Sequence, residues 1–240
     1  MMIFTLPGRL FMREVLANPT TLRIRIESVL QRKFFLLFLF LLSYLILYPY
    51  GQHTNALLYR VFGIAVTLLS VYAVSFRRTF IAFALVLAVP TLAQRIVLPR
   101  ADTNLFALLG TILSLGFDVF IVVVIFRRVF AERTPNSDAI FGALCIYLMA
   151  GFSFASLYFL MATLQPGAFY LDPTANSHHV ADRFDLIYYS FGTMTSLGAA
   201  GITPVSDQAR SVSVIEAILG VLYLAVLIAR LMSAYRDPAK

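Results

Sequence analysis

From Asp185 to Pro204 the chain reads DLIYYSFGTMTSLGAAGITP, a stretch rich in Gly, Thr and Ser with no charge after its first residue. It is too polar to span lipid, yet it lies between two long apolar runs, 138–164 and 208–233. Backbone that is not helical is tolerated at membrane depth only where protein buries it or where it lines a water-filled path. The chemistry on offer is therefore coordination by oxygen. The pattern predicts a half-helix over 184–195, capped at its amino end by Asp182 or Asp185. Its carboxyl end, near Thr195, turns a negative partial charge into the membrane, which attracts cations. An extended return over 196–201 then presents carbonyl oxygens in place of a cation's hydration shell.

Such a hairpin needs long helices to hold it at depth, and the rest of the chain is built to supply them. Of 240 residues, 60% are hydrophobic and 13% charged, the composition of a membrane protein. A helix needs about 20 apolar residues to cross the hydrocarbon. Runs over 34–50, 56–76, 79–98, 104–126, 139–164 and 208–233 are the candidates. The expected fold is an all-α membrane protein: six transmembrane helices with a re-entrant pore helix and loop between the fifth and sixth. In domain terms this is an interfacial segment 1–33, a four-span bundle 34–130, a linker 131–138, a pore module 139–233 and a short tail 234–240.

Basic residues orient it. Arg23, Arg25, Arg32 and Lys33 precede the first span, Arg77 and Arg78 follow the second, Arg127, Arg128 and Arg133 follow the fourth, and Arg230, Arg236 and Lys240 lie near the end. The other side holds Arg60, Arg100 and Arg183. The positive-inside rule puts both termini in the cytoplasm, in a plasma or inner cell membrane. The formal charge of +7 suits a lipid bilayer with anionic headgroups rather than nucleic acid. Residues 20–33 read either as an interfacial amphipathic helix, with Leu22, Ile26, Val29 and Leu30 on one face, or as a basic tail that fixes topology. The amino end lacks the apolar core of a signal peptide. The single cysteine, Cys145, excludes an intrachain disulfide.

The run TMTSLGAAGITP resembles the pore signature of potassium channels, T-x-T-T-V-G-Y-G-D-x-x-P, and IEAILGVLYLAVLIARL is similar to the inner helix of bacterial two-span pore modules of that superfamily. The resemblance covers 139–232. It implies a selectivity filter formed by Thr195, Ser196, Leu197, Gly198, Ala199, Ala200 and Gly201, conducting monovalent cations such as potassium or sodium without any cofactor. One chain supplies a single pore loop, so the expected assembly is a homotetramer around an axis. Three positions depart from the signature. Ala199 stands where Tyr anchors the filter wall, Ala200 where a second Gly permits a left-handed backbone, and Gly201 where Asp is expected. The inner sites at Ser196, Leu197 and Gly198 are expected to persist and the outer ones to be lost, which reduces potassium selectivity. Restoring Tyr, Gly and Asp at 199–201 is expected to sharpen it.

The first four spans have the layout of a voltage-sensor bundle, but the fourth carries no basic residue and one acid, Asp118. Charges moving in the field do the work of sensing, so little voltage dependence is expected. Arg95 and Asp118 are intramembrane charges that read either as a tether, with Arg95 snorkelling outward, or as a proton-linked or gating pair. Pro90 is expected to kink the third span. Small residues of the fifth span, among them Gly142 and Gly151, suit close helix packing.

Glu216 lies about 12 Å along the sixth span from Gln208, beside the hairpin, and reads as a brace for it or as a permeation site; modules that the chain resembles commonly carry Glu there. Gly220 falls where inner helices of that superfamily bend, and reads as a gating hinge or as a packing glycine. Tyr223, Leu227 and Leu231 share one face below it. The loop 165–183 holds His178 and His179, a solvated turn by default; adjacent histidines rarely ligate one metal, and no metal site is assigned. No catalytic motif occurs, so an enzyme is not expected, and neither is a cytoplasmic nucleotide- or calcium-binding ring after residues 234–240. A second reading is a non-conducting channel-like scaffold or sensory, partner-binding subunit.

Overall fold

The computed structural model describes residues 32–53, 56–97, 105–131, 137–176 and 180–235. The interfacial segment before residue 32, most of the 131–138 linker, His178, His179 and the tail from 236 lie outside the described residues. So does the side chain of Arg95.

Apolar runs become helices because every backbone polar group is satisfied within the segment. They are α1 (Lys33–His53), α2 (Ala56–Ala73), α3 (Arg78–Val97), α4 (Leu105–Ala131) and α5 (Ser137–Leu164). The chain continues through β1 (Phe169–Leu171), α6 (Arg183–Met194), β2 (Ile202–Pro204) and α7 (Asp207–Tyr235). Helix α3 runs on through Pro90. By length and composition, three stretches are long and apolar enough to cross a membrane: Leu108–Ala131, Ser137–Leu164 and Asp207–Met232. The apolar helices Lys33–Leu47, Arg60–Ala73 and Arg78–Ala93 are shorter. Helix α4 outruns its expected end by more than a turn, because Arg127 and Arg128 are good helix formers that a membrane-length count stops at.

Two apolar clusters organise the packing. The larger joins α1 to α5 through Leu37, Leu41, Phe117, Ile121, Ile125 and Met149. Glycines let its helices close up: a Cβ at Gly142 would lie 2.7 Å from Val129 Cγ2 and 3.0 Å from the Phe34 ring. A row of edge-on rings then leads from the bundle to α6, with Tyr44 against Phe152 at 5.6 Å and Phe152 against Phe191 at 5.4 Å. The smaller cluster surrounds Tyr158, Phe169, Leu186, Tyr189 and Ile202. It is sealed by β1 and β2, paired antiparallel in the register Phe169↔Pro204, Tyr170↔Thr203 and Leu171↔Ile202. This sheet was not expected from sequence, where the loop after α5 reads as plain solvated chain.

Candidate functional site

Helix α6 starts at a reciprocal cap. Asp182 accepts from the Asp185 N–H at 2.8 Å while the Asp185 carboxylate accepts from the Asp182 N–H at 2.9 Å. Two donors otherwise orphaned at a helix start are satisfied: Asp182 is the cap, and Asp185, the third helical residue, reaches back to it. Arg183, the first helical residue, lies over the Phe159 ring at 4.0 Å and donates to Thr111 Oγ1 on α4 at 3.2 Å.

The carboxyl end of α6 is closed by the chain that follows it. Thr195 donates to Phe191 O through both its N–H, at 3.0 Å, and its hydroxyl, at 2.6 Å. Ser196 N–H donates to Thr193 O at 3.1 Å, and Gly198 N–H to Gly192 O at 3.0 Å. The Tyr147 hydroxyl of α5 donates to Met194 O at 3.3 Å. Each of the last four carbonyls therefore has a donor; Phe191 O has two, and the other three each keep a second lone pair.

This geometry corrects the expected extended return over 196–201. Ser196 takes a left-handed φ of 59° and Gly198 one of 82°, so the chain curls under the helix end before it extends at Ile202. A left-handed residue just after the cap is a common helix stop. Ala200 is not left-handed; the next such position is Gly201, at φ 81°. An alanine would be strained there, and the turn has moved one residue along to the glycine. Gly201 is also hemmed in: a Cβ would lie 2.7 Å from both Ala175 Cβ and Asn176 Nδ2. Its carbonyl accepts from Asp172 N–H at 2.8 Å and Asn176 Nδ2 at 2.9 Å. Aspartate cannot be placed at 201 without displacing this loop. Asp172 is itself fixed: the Thr174 N–H and hydroxyl hold its carboxyl below the ordinary carboxylate range. Ala199 packs against the cluster of Tyr158, Phe169 and Tyr189.

Behind the hairpin sits a buried polar network. Glu216 on α7 is fully enclosed. Its Oε2 accepts from the Tyr158 hydroxyl of α5 at 2.6 Å, and its Oε1 lies 2.5 Å from Ser190 Oγ of α6. Ser190 Oγ also lies 2.8 Å from Gly151 O. Nearby, Tyr189 OH and Ser213 Oγ are 2.6 Å apart. Because the Ser213 hydroxyl donates to Ala209 O at 2.7 Å, Tyr189 is the donor in that pair. Three helices are thus tied by groups that lipid could not satisfy.

Gly220 touches the hairpin helix directly. A Cβ there would fall inside contact distance of Met194 O and 2.6 Å from Met194 Cγ. Helix α7 is unbroken through it. Gly192 serves the same end from the other side, since its Cβ would lie 2.9 Å from Gly198 O. Lower on α7, the Tyr223 hydroxyl donates to Ala143 O at 2.6 Å. Asp118 is half-buried at the middle of α4. The chain thus gathers residues 195–201, Glu216 and Gly220 in one place, whereas Asp118 and Arg95 belong to the bundle. Tyr158, Ser190, Tyr147, Asn176 and Gly192 escaped the reading of the sequence. Only Gly192 carried a local signal, as a glycine inside a helix that costs about 1 kcal/mol relative to alanine.

In the single chain, Thr195, Ser196, Leu197, Gly198 and Ala200 are exposed although the helix behind them is largely buried. Leu197 is 79% exposed. Their hydroxyl and carbonyl oxygens are hard ligands with no carboxylate among them, a set suited to weakly held cations. Residues 139–237 match a protein-family model described as an ion channel. The match is to a channel domain and indicates a channel rather than an enzyme. No curated protein and no solved structure matches the chain.

Proposed function

We propose that the protein is a homotetrameric cation channel of a plasma or inner cell membrane. In it, six helices per chain span the bilayer with both termini cytoplasmic, and α6 with the 195–201 hairpin re-enters to line the axis. Monovalent cations pass along the oxygens of Thr195, Ser196, Leu197 and Gly198. The observation that carries this reading is the exposure of a polar hairpin beside an apolar helix. Ile218, Leu222 and Ile228 of α7 are 53%, 55% and 60% exposed in the lone chain. Lipid can cover those side chains but not the hairpin's backbone, so the hairpin must meet other copies around water. The channel-family match over 139–237 supports the same conclusion.

The test is cation flux from liposomes holding the purified protein. Gly198→Val is expected to abolish flux, because a β-branched residue strains the left-handed turn and displaces the carbonyls beside it. The position is left-handed at φ 82°, and a Cβ there meets nothing within 4 Å in its own chain. Wild-type protein that passes no cation at any pH, tension or voltage would instead favour the non-conducting scaffold.

Selectivity follows from Ala199 and Ala200. Without the tyrosine anchor and the second left-handed glycine, the outer coordination sites are lost and potassium is poorly distinguished from sodium. The double change Ala199→Tyr with Ala200→Gly, leaving Gly201 untouched, is expected to raise the potassium-to-sodium permeability ratio. A ratio identical to wild type in bi-ionic reversal measurements would place discrimination elsewhere.

A further inference from the structure

We infer that one end of the α1–α4 bundle, around the Phe76 ring, binds the phosphate headgroup of an anionic phospholipid. Six cations meet there: Arg32 and Lys33 where α1 begins, Arg77 and Arg78 where the chain turns from α2 into α3, and Arg127 and Arg128 on the last turns of α4. Phe76 is the hub. The Lys33 ammonium lies 5.5 Å from its ring centre and the Arg128 guanidinium 5.1 Å, while Phe34 packs on it at 6.1 Å. Lys33 is further held by the Tyr72 ring at 4.6 Å and by donating to Ser75 Oγ at 2.8 Å.

Two like charges are thus drawn to a single ring, and the other four cations are chain neighbours of Lys33, Phe76 or Arg128, all six exposed except Lys33. Among the described residues the one acid at this end is Asp138, which accepts from the Phe35 N–H at 3.3 Å. Six cations against that one carboxylate leave this end strongly positive, and guanidinium forks match phosphate oxygens. The anion belongs to a lipid because the helices that carry the cations continue as exposed apolar faces. Phe83 on α3 is 60% exposed, and Val123 and Phe126 on α4 are 43% and 42% exposed. Acyl chains lie against those faces when the phosphate sits over Phe76.

The test is native mass spectrometry of the full-length protein in neutral detergent, titrated with phosphatidylglycerol or with phosphatidylcholine. Phosphatidylglycerol is expected to bind in preference, and Arg77→Gln with Arg127→Gln to weaken it roughly 30-fold. Phe76→Leu, which leaves the net charge unchanged, is expected to weaken it about fivefold by releasing Lys33 and Arg128. Arg60→Gln, near the opposite end of α2, is expected to leave binding as it was. Retained binding in Phe76→Leu, or a loss in Arg60→Gln equal per charge to that of the Arg77→Gln and Arg127→Gln pair, would reduce the effect to diffuse charge and overturn the site. Displacement of the lipid by millimolar inorganic phosphate would assign the pocket to a soluble anion instead.

Discussion

Glu216→Ala is expected to abolish cation flux and to destabilise the folded protein by about 3 kcal/mol, whereas Glu216→Gln keeps both near wild type. Paired polar contacts between helices in lipid average about 0.6 kcal/mol, so lost attraction alone is a minor cost. The larger cost is what remains. Tyr158 OH and Ser190 Oγ both point at Glu216 inside a closed cluster, at 2.6 and 2.5 Å. Orphaning a buried donor costs about 1–3 kcal/mol, and Tyr158 OH is orphaned, while Ser190 Oγ falls back on Gly151 O, 2.8 Å away. Alanine also leaves a void behind the hairpin. Glutamine avoids both penalties. Its carbonyl accepts from Tyr158, and its amide donates to Ser190 Oγ, which is then free to donate to Gly151 O, 2.8 Å away. Flux assays and detergent-denaturation midpoints on both variants decide the matter. Wild-type behaviour in Glu216→Ala would mean that the network is ornamental to the hairpin. A glutamine variant as damaged as the alanine variant would mean that the carboxyl group itself does work that an amide cannot.

The contrast between Glu216 and its partners shows what a linear sequence reveals here. Glu216 was legible because an α-helix converts spacing into distance, and the count from Gln208 puts it level with the hairpin. Its partners were not. Tyr158 lies 58 positions away and Ser190 lies 26 away, so the meeting depends on how α5, α6 and α7 pack. The cap of α6 was legible for the same reason in miniature, because Asp182 and Asp185 are three residues apart and a capping box is a local object. The two short strands were invisible, being three residues each and paired across a long loop. The curl at Ser196 was missed because serine is an uncommon residue at positive φ, and only a helix that ends there makes the conformation worth its cost. The family resemblance does not carry the local backbone, since the left-handed turn that the resembling pattern assigns to position 200 falls at Gly201.

Gly220→Ala separates two uses of one glycine by the sign of its effect. If Gly220 matters only as a flexible point in α7, alanine improves the helix by about 1 kcal/mol and the protein becomes more resistant to denaturation, with gating altered. The packing around it predicts the reverse. The new methyl would meet Met194 O, and Met194 Cγ at 2.6 Å and its carbonyl carbon at 3.1 Å stand in the same space. Part of that obstacle is backbone, which cannot rotate aside as a side-chain tip can. Either α7 moves off α6 or the end of α6 shifts, and Met194 O is the carbonyl to which Tyr147 donates. Overpacking of this kind costs about 1–3 kcal/mol, enough to outweigh the propensity gain. The expected outcome is a lower denaturation midpoint together with a drop in flux of about tenfold, since a shift at Met194 is carried straight into Thr195 and Ser196. Met194→Ala in the same chain is expected to recover only part of the loss, because it clears the side chain and leaves the carbonyl. A stabilised Gly220→Ala protein would assign this residue to bending instead.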